Sequence, residues 1–382
     1  MKAFTEPLLS LAGFEEMTKT AEKSSGLISV TGCIDAQKSQ MIYAFGGHRK
    51  NKLIVTFGEQ KAKELYDEYS FFDKEVVYYP SKDVLFYQSD IRGNLLTAER
   101  IRALKAIREQ ERVTLVTTFD ALMNTMAPIE KMWENVLTLE QGQLLDLKEI
   151  QAALIRMGYE KEYQVQTMGQ FSVRGGILDV FPLTEENPIR IELWGDDIDT
   201  IRYFDCESQK SIENTDRVSI YPAAELVLSD EEKAGGIEKL KAEAKRVSDK
   251  LRKQMKTEEA HRVSVMADEL TEEWGELSMY AGMDAFLSYF FDERVGLLDY
   301  FNPSDSLIFF DELTRCAEQG KLTETEFSES MKQRLAMGYI LPGQMNGLFT
   351  EKEIVAKLEK YSCIALGALD NKANGLHQLG SY

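Results

Sequence analysis

The 382-residue chain has few of the residues that build disulfide frameworks or metal clusters. Its four cysteines are scattered without a CxxC pair, and it has only three histidines. We therefore expect neither a disulfide framework nor a zinc site. No apolar run reaches the length of about 18 residues that a membrane span needs, and the N-terminal segment lacks a basic stretch followed by an apolar one. These absences predict a cytoplasmic chain with no membrane partner.

Basic residues are also in short supply. The 45 lysines and arginines stand against 64 aspartates and glutamates, which gives a formal net charge of −19. The electrostatic field of this negative charge repels phosphate backbones, so we do not expect the chain alone to bind DNA strongly. With 43% hydrophobic residues the chain can build real cores, and its length suggests two or three domains.

Strands and helices alternate over the first third of the chain. Helical sequence separates β-type runs at 27–30, 53–57, 75–79 and 113–117. This alternation predicts a parallel sheet with helices on its faces. Much later, the very apolar run Leu307–Phe310 predicts a further buried strand of the same sheet.

Between these two regions lies a dense series of β-type runs. They occupy residues 163–167, 171–174, 177–181, 189–194 and 198–204. Strands this close together leave no room for crossover helices, so we expect them to pair antiparallel as a meander. In the fourth run, Ile189, Ile191 and Leu193 alternate with charged or aromatic residues. That period of two buries one face and leaves the other for solvent or a partner.

The region after the meander is helical before the sheet pattern resumes. Residues 230–259 carry apolar side chains at steps of three and four, which predicts one long helix with a narrow apolar seam. This helix could pack on its own domain or project as an arm. Residues 351–361 are helical and a strand-like run follows, but no closing element does, which favours a piece of a longer protein. The expected fold class is thus α/β, a parallel α/β domain split by an inserted antiparallel β-rich (α+β) domain.

The first strand leads into a segment that resembles a phosphate-binding loop. Residues 32–39 read GCIDAQKS, and a helix follows. Gly32, Lys38 and Ser39 fit the loop pattern, but Gln37 stands where the pattern has its second glycine. That glycine lets backbone N–H groups approach the phosphates. The loop is therefore degenerate.

Three carboxylates also bear on nucleotide binding. Asp35 places negative charge where phosphate would lie. Asp311 and Glu312 follow the apolar strand as Walker B carboxylates do, although a strand followed by Asp-Glu is common. Together these features predict a nucleotide-binding fold that has lost its nucleotide, with no cofactor, no metal and no catalytic residue.

The meander carries a specific family resemblance. Residues 163–212, with FSVRGGILDVFP, IRIELWGDDIDTIRYFD and ESQKSIE, resemble the N-terminal module of the bacterial transcription-repair coupling factors. That module is itself similar to the damage-recognition excinuclease protein UvrB. Two further segments support the resemblance, YYPSKDVLFY at 78–87 and AERIRAL at 98–104. The resemblance covers roughly residues 1–346.

The resemblance implies a degenerate helicase-motor-like domain divided by a docking domain. It places the first half of the α/β domain at 1–126, the inserted β-meander docking domain at 127–215 and the returning half, with the long helix, at 216–346. Residues 347–382 would then begin a further domain or a linker. It also implies that the inserted domain docks the excinuclease protein UvrA. RNA polymerase and double-stranded DNA would bind the full-length factor through domains that are missing from this sequence.

Four positions match the partner contacts of the family. They are Arg174 of VRGG, Phe181 of DVFP, and Arg190 and Glu192 of IRIE. Alternation places the three charged residues on the polar face, and arginine suits interfaces because its planar fork pairs with carboxylates. Phe181 falls on the other face from Arg174 unless the two glycines between them make a bulge. Without a partner, the charged residues would form surface ion pairs worth about 0–1 kcal/mol, and Phe181 would be core.

The leading interpretation is a non-enzymatic adaptor that recruits the excinuclease protein UvrA for nucleotide excision repair at stalled polymerases. Two alternatives stay open. One is a nucleotide-dependent DNA-binding or helicase-like domain, and the other is an autoinhibitory module that packs on the C-terminal translocase of the full-length factor.

Overall fold

The computed structural model describes residues 2–11, 13–45, 49–82, 93–276, 282–369 and 375–382. Residues 83–87 of the YYPSKDVLFY motif lie outside the described residues. The helices are α1 (Lys2–Leu9), α2 (Phe14–Lys23), α3 (Asp35–Phe45), α4 (Glu59–Tyr69), α5 (Gly93–Glu109), α6 (Phe119–Met123), α7 (Ile129–Glu134), α8 (Leu147–Arg156), α9 (Asp230–Lys253), α10 (Thr257–Glu276), α11 (Leu287–Phe290), α12 (Leu313–Ala336) and α13 (Glu351–Leu358). Within the described residues, none of these helices has the length and apolarity that crossing a membrane requires.

The strands form two large sheets and one small one. They are β1 (Gly26–Val30), β2 (Asn51–Thr56), β3 (Val76–Tyr79), β4 (Val113–Thr118), β5 (Leu137–Glu140), β6 (Glu160–Lys161), β7 (Gln170–Arg174), β8 (Ile177–Val180), β9 (Ile189–Trp194), β10 (Asp197–Phe204), β11 (Ser211–Thr215), β12 (Arg217–Ile220), β13 (Ser306–Asp311), β14 (Ser362–Leu366) and β15 (Gln378–Ser381).

The first large sheet is parallel and has seven strands in the order β15-β1-β14-β13-β2-β4-β3. Successive residues of each interior strand enter two different cores. Leu53 and Val55 of β2 pack in the core on one face, and Ile54 between them packs in the core on the other. Helices cover both faces, so the interior strands are mainly apolar on both sides, as the sequence predicts.

The parallel sheet is assembled from both ends of the chain. Strands β1 to β4 come from the first 118 residues, and β13, β14 and β15 come from residue 306 onward. Strand β14 lies between β1 and β13, with Ser362 opposite both Gly26 and Leu307. The expectation that residues 347–382 begin a further domain or linker is therefore wrong, because these residues complete the sheet.

The second large sheet has six strands in the order β11-β10-β9-β8-β7-β6, and it is antiparallel except for the β6–β7 pair. The expected α/β fold class, a parallel sheet interrupted by an antiparallel β-rich unit, is confirmed. The expected strand at 163–167 is wrong, because this segment is irregular. The short strand β6 lies just before it and pairs with β7 instead.

The inserted unit extends beyond the predicted residue 215. Strand β12 pairs antiparallel with β5, and Val218 and Ile220 of β12 share a core with Leu178 and Ile191 of the six-stranded sheet. Helix α8 packs into the same core through Leu154. The division of the chain into domains otherwise stays a prediction.

The predicted long helix is two helices. Helix α9 ends at Lys253, and Met255, in the left-handed region with φ 64°, turns the chain into α10. The two helices pack against each other and bury Leu240 and Val263 in a core of their own. The seam of α9 therefore packs within the chain and does not project as an arm.

Candidate partner-docking face

A tight hairpin brings the candidate residues of the inserted sheet together. Strands β7 and β8 are joined by Gly175 and Gly176, and Arg174 lies opposite Ile177. Gly175 adopts φ +61°, a left-handed conformation that glycine accepts without strain. Because the turn has two residues, the hairpin register puts Phe181 on the same side as Arg174, with no bulge needed.

A buried carboxylate, Asp179, is the centre of this face. Asp179 lies opposite Arg190 on the neighbouring strand and is 1% exposed. Arg190 donates from Nε and Nη2 to the two carboxylate oxygens, at 2.7 and 2.8 Å. Arg174 donates from Nη2 to Oδ2 at 2.8 Å. Two arginines on different strands are therefore held by one carboxylate, and such charge-assisted bonds are the strong ones.

Arg190 has further contacts beyond Asp179. Its Nη2 also donates to Oε1 of Gln209 at 2.8 Å, and its guanidinium lies 4.3 Å from the centroid of the Phe204 ring. The hydrogen bonds with Asp179 raise the pKa of Arg190, which keeps it charged. Only 12% of its side chain is exposed, whereas 33% of the Arg174 side chain is exposed.

Glu192 forms a second ion pair beside the first. Its carboxylate accepts from Nη1 and Nη2 of Arg202 at 2.9 and 2.5 Å, and from Oγ1 of Thr200 at 3.1 Å. The bonds with Arg202 lower the pKa of Glu192. Its side chain is 32% exposed. We name the set Arg174, Asp179, Arg190, Glu192 and Arg202 the charged face.

The structure therefore brings together the three charged candidates, Arg174, Arg190 and Glu192. Each has an intramolecular ion-pair partner, as expected if these residues form surface ion pairs. The partners are Asp179 and Arg202, which the sequence analysis did not single out. Asp179 and Arg202 could have been identified only from the strand register, which places residues of three strands side by side. The docking role of the candidates stays a prediction.

Phe181 is the candidate that the structure covers. It is 8% exposed, and its backbone N–H donates to the carbonyl of Gln170 at 2.9 Å, which extends the β7–β8 pairing by one residue. In this conformation most of its ring is unavailable to a partner, so a docking role for Phe181 remains a prediction with little exposed surface behind it.

Two exposed aromatic side chains accompany the charged face. Trp194 ends β9 in the same alternating set as Arg190 and Glu192, and it is 82% exposed. Tyr163 is 83% exposed, and its carbonyl accepts from the hydroxyl of Ser172 at 2.7 Å. Tryptophan and tyrosine are enriched among the residues that dominate binding energy at interfaces. Alternation along β9 is the sequence signal that could have marked Trp194, although it is not among the four predicted contacts.

The degenerate phosphate loop lies elsewhere, at the carboxyl ends of β1 and β13. The side chain of Lys38 is 1% exposed, and its ammonium lies 2.5 Å from Asp311, 2.9 Å from Asp35 and 3.0 Å from Glu312. Burial alone would lower the pKa of Lys38, but its bonds to these three carboxylates raise it above the ordinary value. The lysine that would meet a nucleotide phosphate is therefore bound to the carboxylates of its own chain.

The same carboxylates form the one group of metal-ligand type found among the described residues. Oxygen atoms of Asp35, Asp311 and Glu312 lie within 4.8 Å of one another. The ammonium of Lys38 contacts all three, and Lys61 adds a bond of 3.0 Å to Asp35. Bonds to Lys38 and Lys61 lower the pKa of Asp35 to about 2. Two lysines thus offset much of the negative charge of the cluster.

Comparison with known proteins matches the inserted unit to one family. Residues 137–226 match the family described as UvrB interaction domain. This range contains every strand of the six-stranded sheet and the whole charged face.

The longer matches are to transcription-repair-coupling factors. The chain is 29% identical over 310 residues to that of Bacillus subtilis (strain 168), which covers 80% of this chain and 26% of the relative. It is 28% identical over 327 residues to that of Staphylococcus haemolyticus, covering 83% of this chain and 27% of the relative. The chain thus spans about a quarter of the length of the curated relatives that it matches. The expected resemblance is confirmed: the chain is similar to an N-terminal module of the transcription-repair-coupling factors, and its residues 137–226 match the UvrB interaction domain.

Proposed function

We propose that this chain is a non-catalytic adaptor module that recruits the excinuclease protein UvrA in transcription-coupled nucleotide excision repair. The observation that carries the proposal is the charged face, which lies inside the segment that matches the UvrB interaction domain. The names of the relatives, which join transcription to repair, support the pathway.

The geometry of the charged face suits docking. Asp179 fixes Arg174 through one hydrogen bond, which leaves most of the N–H donors of that guanidinium for a partner. Since the side chain is already held, little conformational entropy is lost when a partner binds. Glu192 offers a carboxylate beside it, and Trp194 offers a large exposed ring. A partner surface with acidic groups next to an apolar pocket fits this arrangement.

The phosphate loop supports the non-catalytic part of the proposal. Lys38 cannot contact a phosphate without leaving Asp311, which is 2% exposed and would lose its closest counter-ion. This observation argues against the nucleotide-dependent alternative. Any contacts with RNA polymerase and double-stranded DNA would belong to parts of the relatives outside the matched quarter.

Calorimetric titration of purified UvrA with this chain tests the proposal. We expect binding by the unmodified chain, a loss with Arg174→Gln and no loss with Arg217→Gln. Arg217 is a matched control, since it is an exposed strand arginine of the inserted unit, paired with Glu140 at 3.3 Å, but it is not on the charged face. No binding by the unmodified chain would refute the proposed function.

A further inference from the structure

A polar pocket lies at the amino ends of the parallel strands, whereas the phosphate loop lies at their carboxyl ends. It has a volume of about 430 Å³ and opens beside the first residues of β2 and β4. Asp311 and the loop that follows β1 lie at the carboxyl ends of the strands, whereas this pocket lies at their amino ends. The pocket is therefore separate from both the degenerate loop and the charged face.

Four cationic side chains line this pocket in a chain whose net charge is −19. Lys50 and Arg112 are exposed, and neither has an ion pair with an acidic side chain of the described residues. Arg49 uses part of its guanidinium to bind the carbonyls of Ala21 and Glu22 at the end of α2, at 3.0 and 3.2 Å. Its charge nevertheless remains at the pocket wall.

The fourth cation, Lys52, is partly buried. Its ammonium donates to the hydroxyl of Tyr69 at 2.9 Å and lies 5.8 Å from the ring centroid of Tyr43. Within the described part of the chain, no carboxylate lies within ion-pair distance of it. Burial lowers the pKa of Lys52. Its hydrogen bond is to a neutral hydroxyl, and the carboxylate of Asp73 acts on it only through a longer-range attraction that burial outweighs, so a bound anion would stabilise this partly buried ammonium.

The two carboxylates of the pocket do not neutralise it. Asp73 accepts from the hydroxyl of Thr114 at 2.8 Å and from the backbone N–H of Glu75 at 3.1 Å, so both of its oxygens are engaged. Glu75 is exposed to solvent. Among the described residues that line it, four cations against two carboxylates leave the pocket positive.

The size and walls of the pocket narrow the kind of ligand. Small-molecule sites usually enclose about 300–1,000 Å³, and this pocket falls within that range. Tyr43 and Phe72 line one wall, with ring centroids 5.5 Å apart. Lysine ammonium groups and arginine forks are the side chains that bind phosphate.

From this arrangement we infer that the pocket formed by Lys50, Lys52, Arg112 and the Tyr43–Phe72 wall binds a small phosphate-bearing anion. The phosphate would contact the three cations, and an attached ring, where the ligand has one, would lie against the aromatic wall. This binding site is independent of the docking of UvrA.

Titration calorimetry with two probes tests the inference on the full chain. Inorganic pyrophosphate carries the phosphate chemistry alone, and adenosine monophosphate adds a planar ring. We expect pyrophosphate to bind, and both Lys52→Met and Arg112→Gln to raise its Kd at least tenfold. Methionine keeps the apolar stem of Lys52 while removing its charge, so the melting temperature should not fall. Tighter binding of adenosine monophosphate would assign a ring-bearing ligand, and equal or weaker binding would assign phosphate alone.

Lys61→Met is the matched control at the other edge of the sheet. It also removes one lysine charge, beside Asp35 of the degenerate loop. Binding that Lys61→Met weakens but Lys52→Met does not would place the phosphate at the loop and overturn the inference. No binding of either probe by the unmodified chain would overturn it as well.

Discussion

Arg190→Gln should destabilise the chain more than Arg174→Gln, although both arginines bind the same carboxylate. Arg190 supplies two of the three arginine hydrogen bonds to Asp179, a further one to Gln209, and stacks on Phe204. Removing its charge leaves Asp179, which is 1% exposed, with a single bond from Arg174. Removing Arg174 instead leaves the bidentate pair intact.

The expected magnitudes follow from burial. Breaking a buried ion pair costs about 3–5 kcal/mol, and we expect about 2–4 kcal/mol for Arg190→Gln because a little of this pair is exposed and glutamine can still donate. Arg174 is one-third exposed and makes one bond, so its loss should cost about 0–1 kcal/mol. At about 2–4 °C per kcal/mol, calorimetric melting should separate the two variants clearly.

Binding to UvrA should separate them in the other direction. Arg174→Gln should keep nearly normal melting and lose about thirtyfold in affinity, since an interface hot spot is worth about 2 kcal/mol or more. Glutamine is a cleaner change here than Arg174→Glu, because a glutamate would place a second carboxylate beside buried Asp179. Equal melting shifts for Arg190→Gln and Arg174→Gln would refute the role of Asp179. Unchanged binding by Arg174→Gln would reduce that arginine to a surface ion pair.

Four further outcomes are expected. Calorimetry with ATP and magnesium should show no binding, and micromolar ATP binding by the unmodified chain would contradict that expectation. Lys38→Ala should lower the melting temperature, because it leaves Asp311 buried without its closest counter-ion. Gel-shift assays at physiological salt should show no stable complex with double-stranded DNA, since the net charge is −19, and a tight, salt-sensitive shift would refute it. Burial alone would raise the pKa of Glu225, but Arg100 and Lys82 lower it from 4.5 to about 2. The ionised carboxylate therefore stabilises the fold above pH 4.5, and this stabilisation is lost as the pH falls toward 2. Urea denaturation at several pH values should show a flatter acid limb for Glu225→Gln. Trp194→Ser should weaken docking at least tenfold without lowering the melting temperature, because the ring is exposed; full affinity would exclude it from the interface.

The parallel sheet was the most predictable part of the fold. A strand buried on both faces is a continuous apolar run, and Leu307–Phe310 is such a run in sequence and in structure. The placement of β14 between β1 and β13 was not predictable, because Gly26 and Ser362 pair across more than three hundred residues. A local pattern shows that a strand exists, but it does not show which strands will be its neighbours.

Two errors have local physical causes. In residues 163–167, hydrogen bonds to a side chain take the place of hydrogen bonds to a neighbouring strand. The side-chain oxygen of Gln170 accepts from the backbone N–H groups of Gln166 and Thr167 at 2.9 and 3.1 Å. These bonds satisfy the backbone without a neighbouring strand. The predicted long helix breaks at Met255, where a non-glycine residue adopts φ 64° and no glycine or proline marks the turn. Tertiary packing of α9 against α10 stabilises a conformation that the local sequence disfavours.

The charged face shows why a docking role and an ion-pair role do not exclude each other. Residue alternation found Arg174, Arg190 and Glu192, but only the cross-strand register showed that Asp179 binds both arginines. Arg190 uses its Nε and Nη2 donors within the chain and is 12% exposed, so its main effect is to hold Asp179 in place. Arg174 and Glu192 are each about one-third exposed and keep unused donor or acceptor capacity. Of the expected contacts, these two therefore have the surface and the chemistry to meet a partner directly, and we expect Arg190 to affect docking only through Asp179, the carboxylate that holds Arg174.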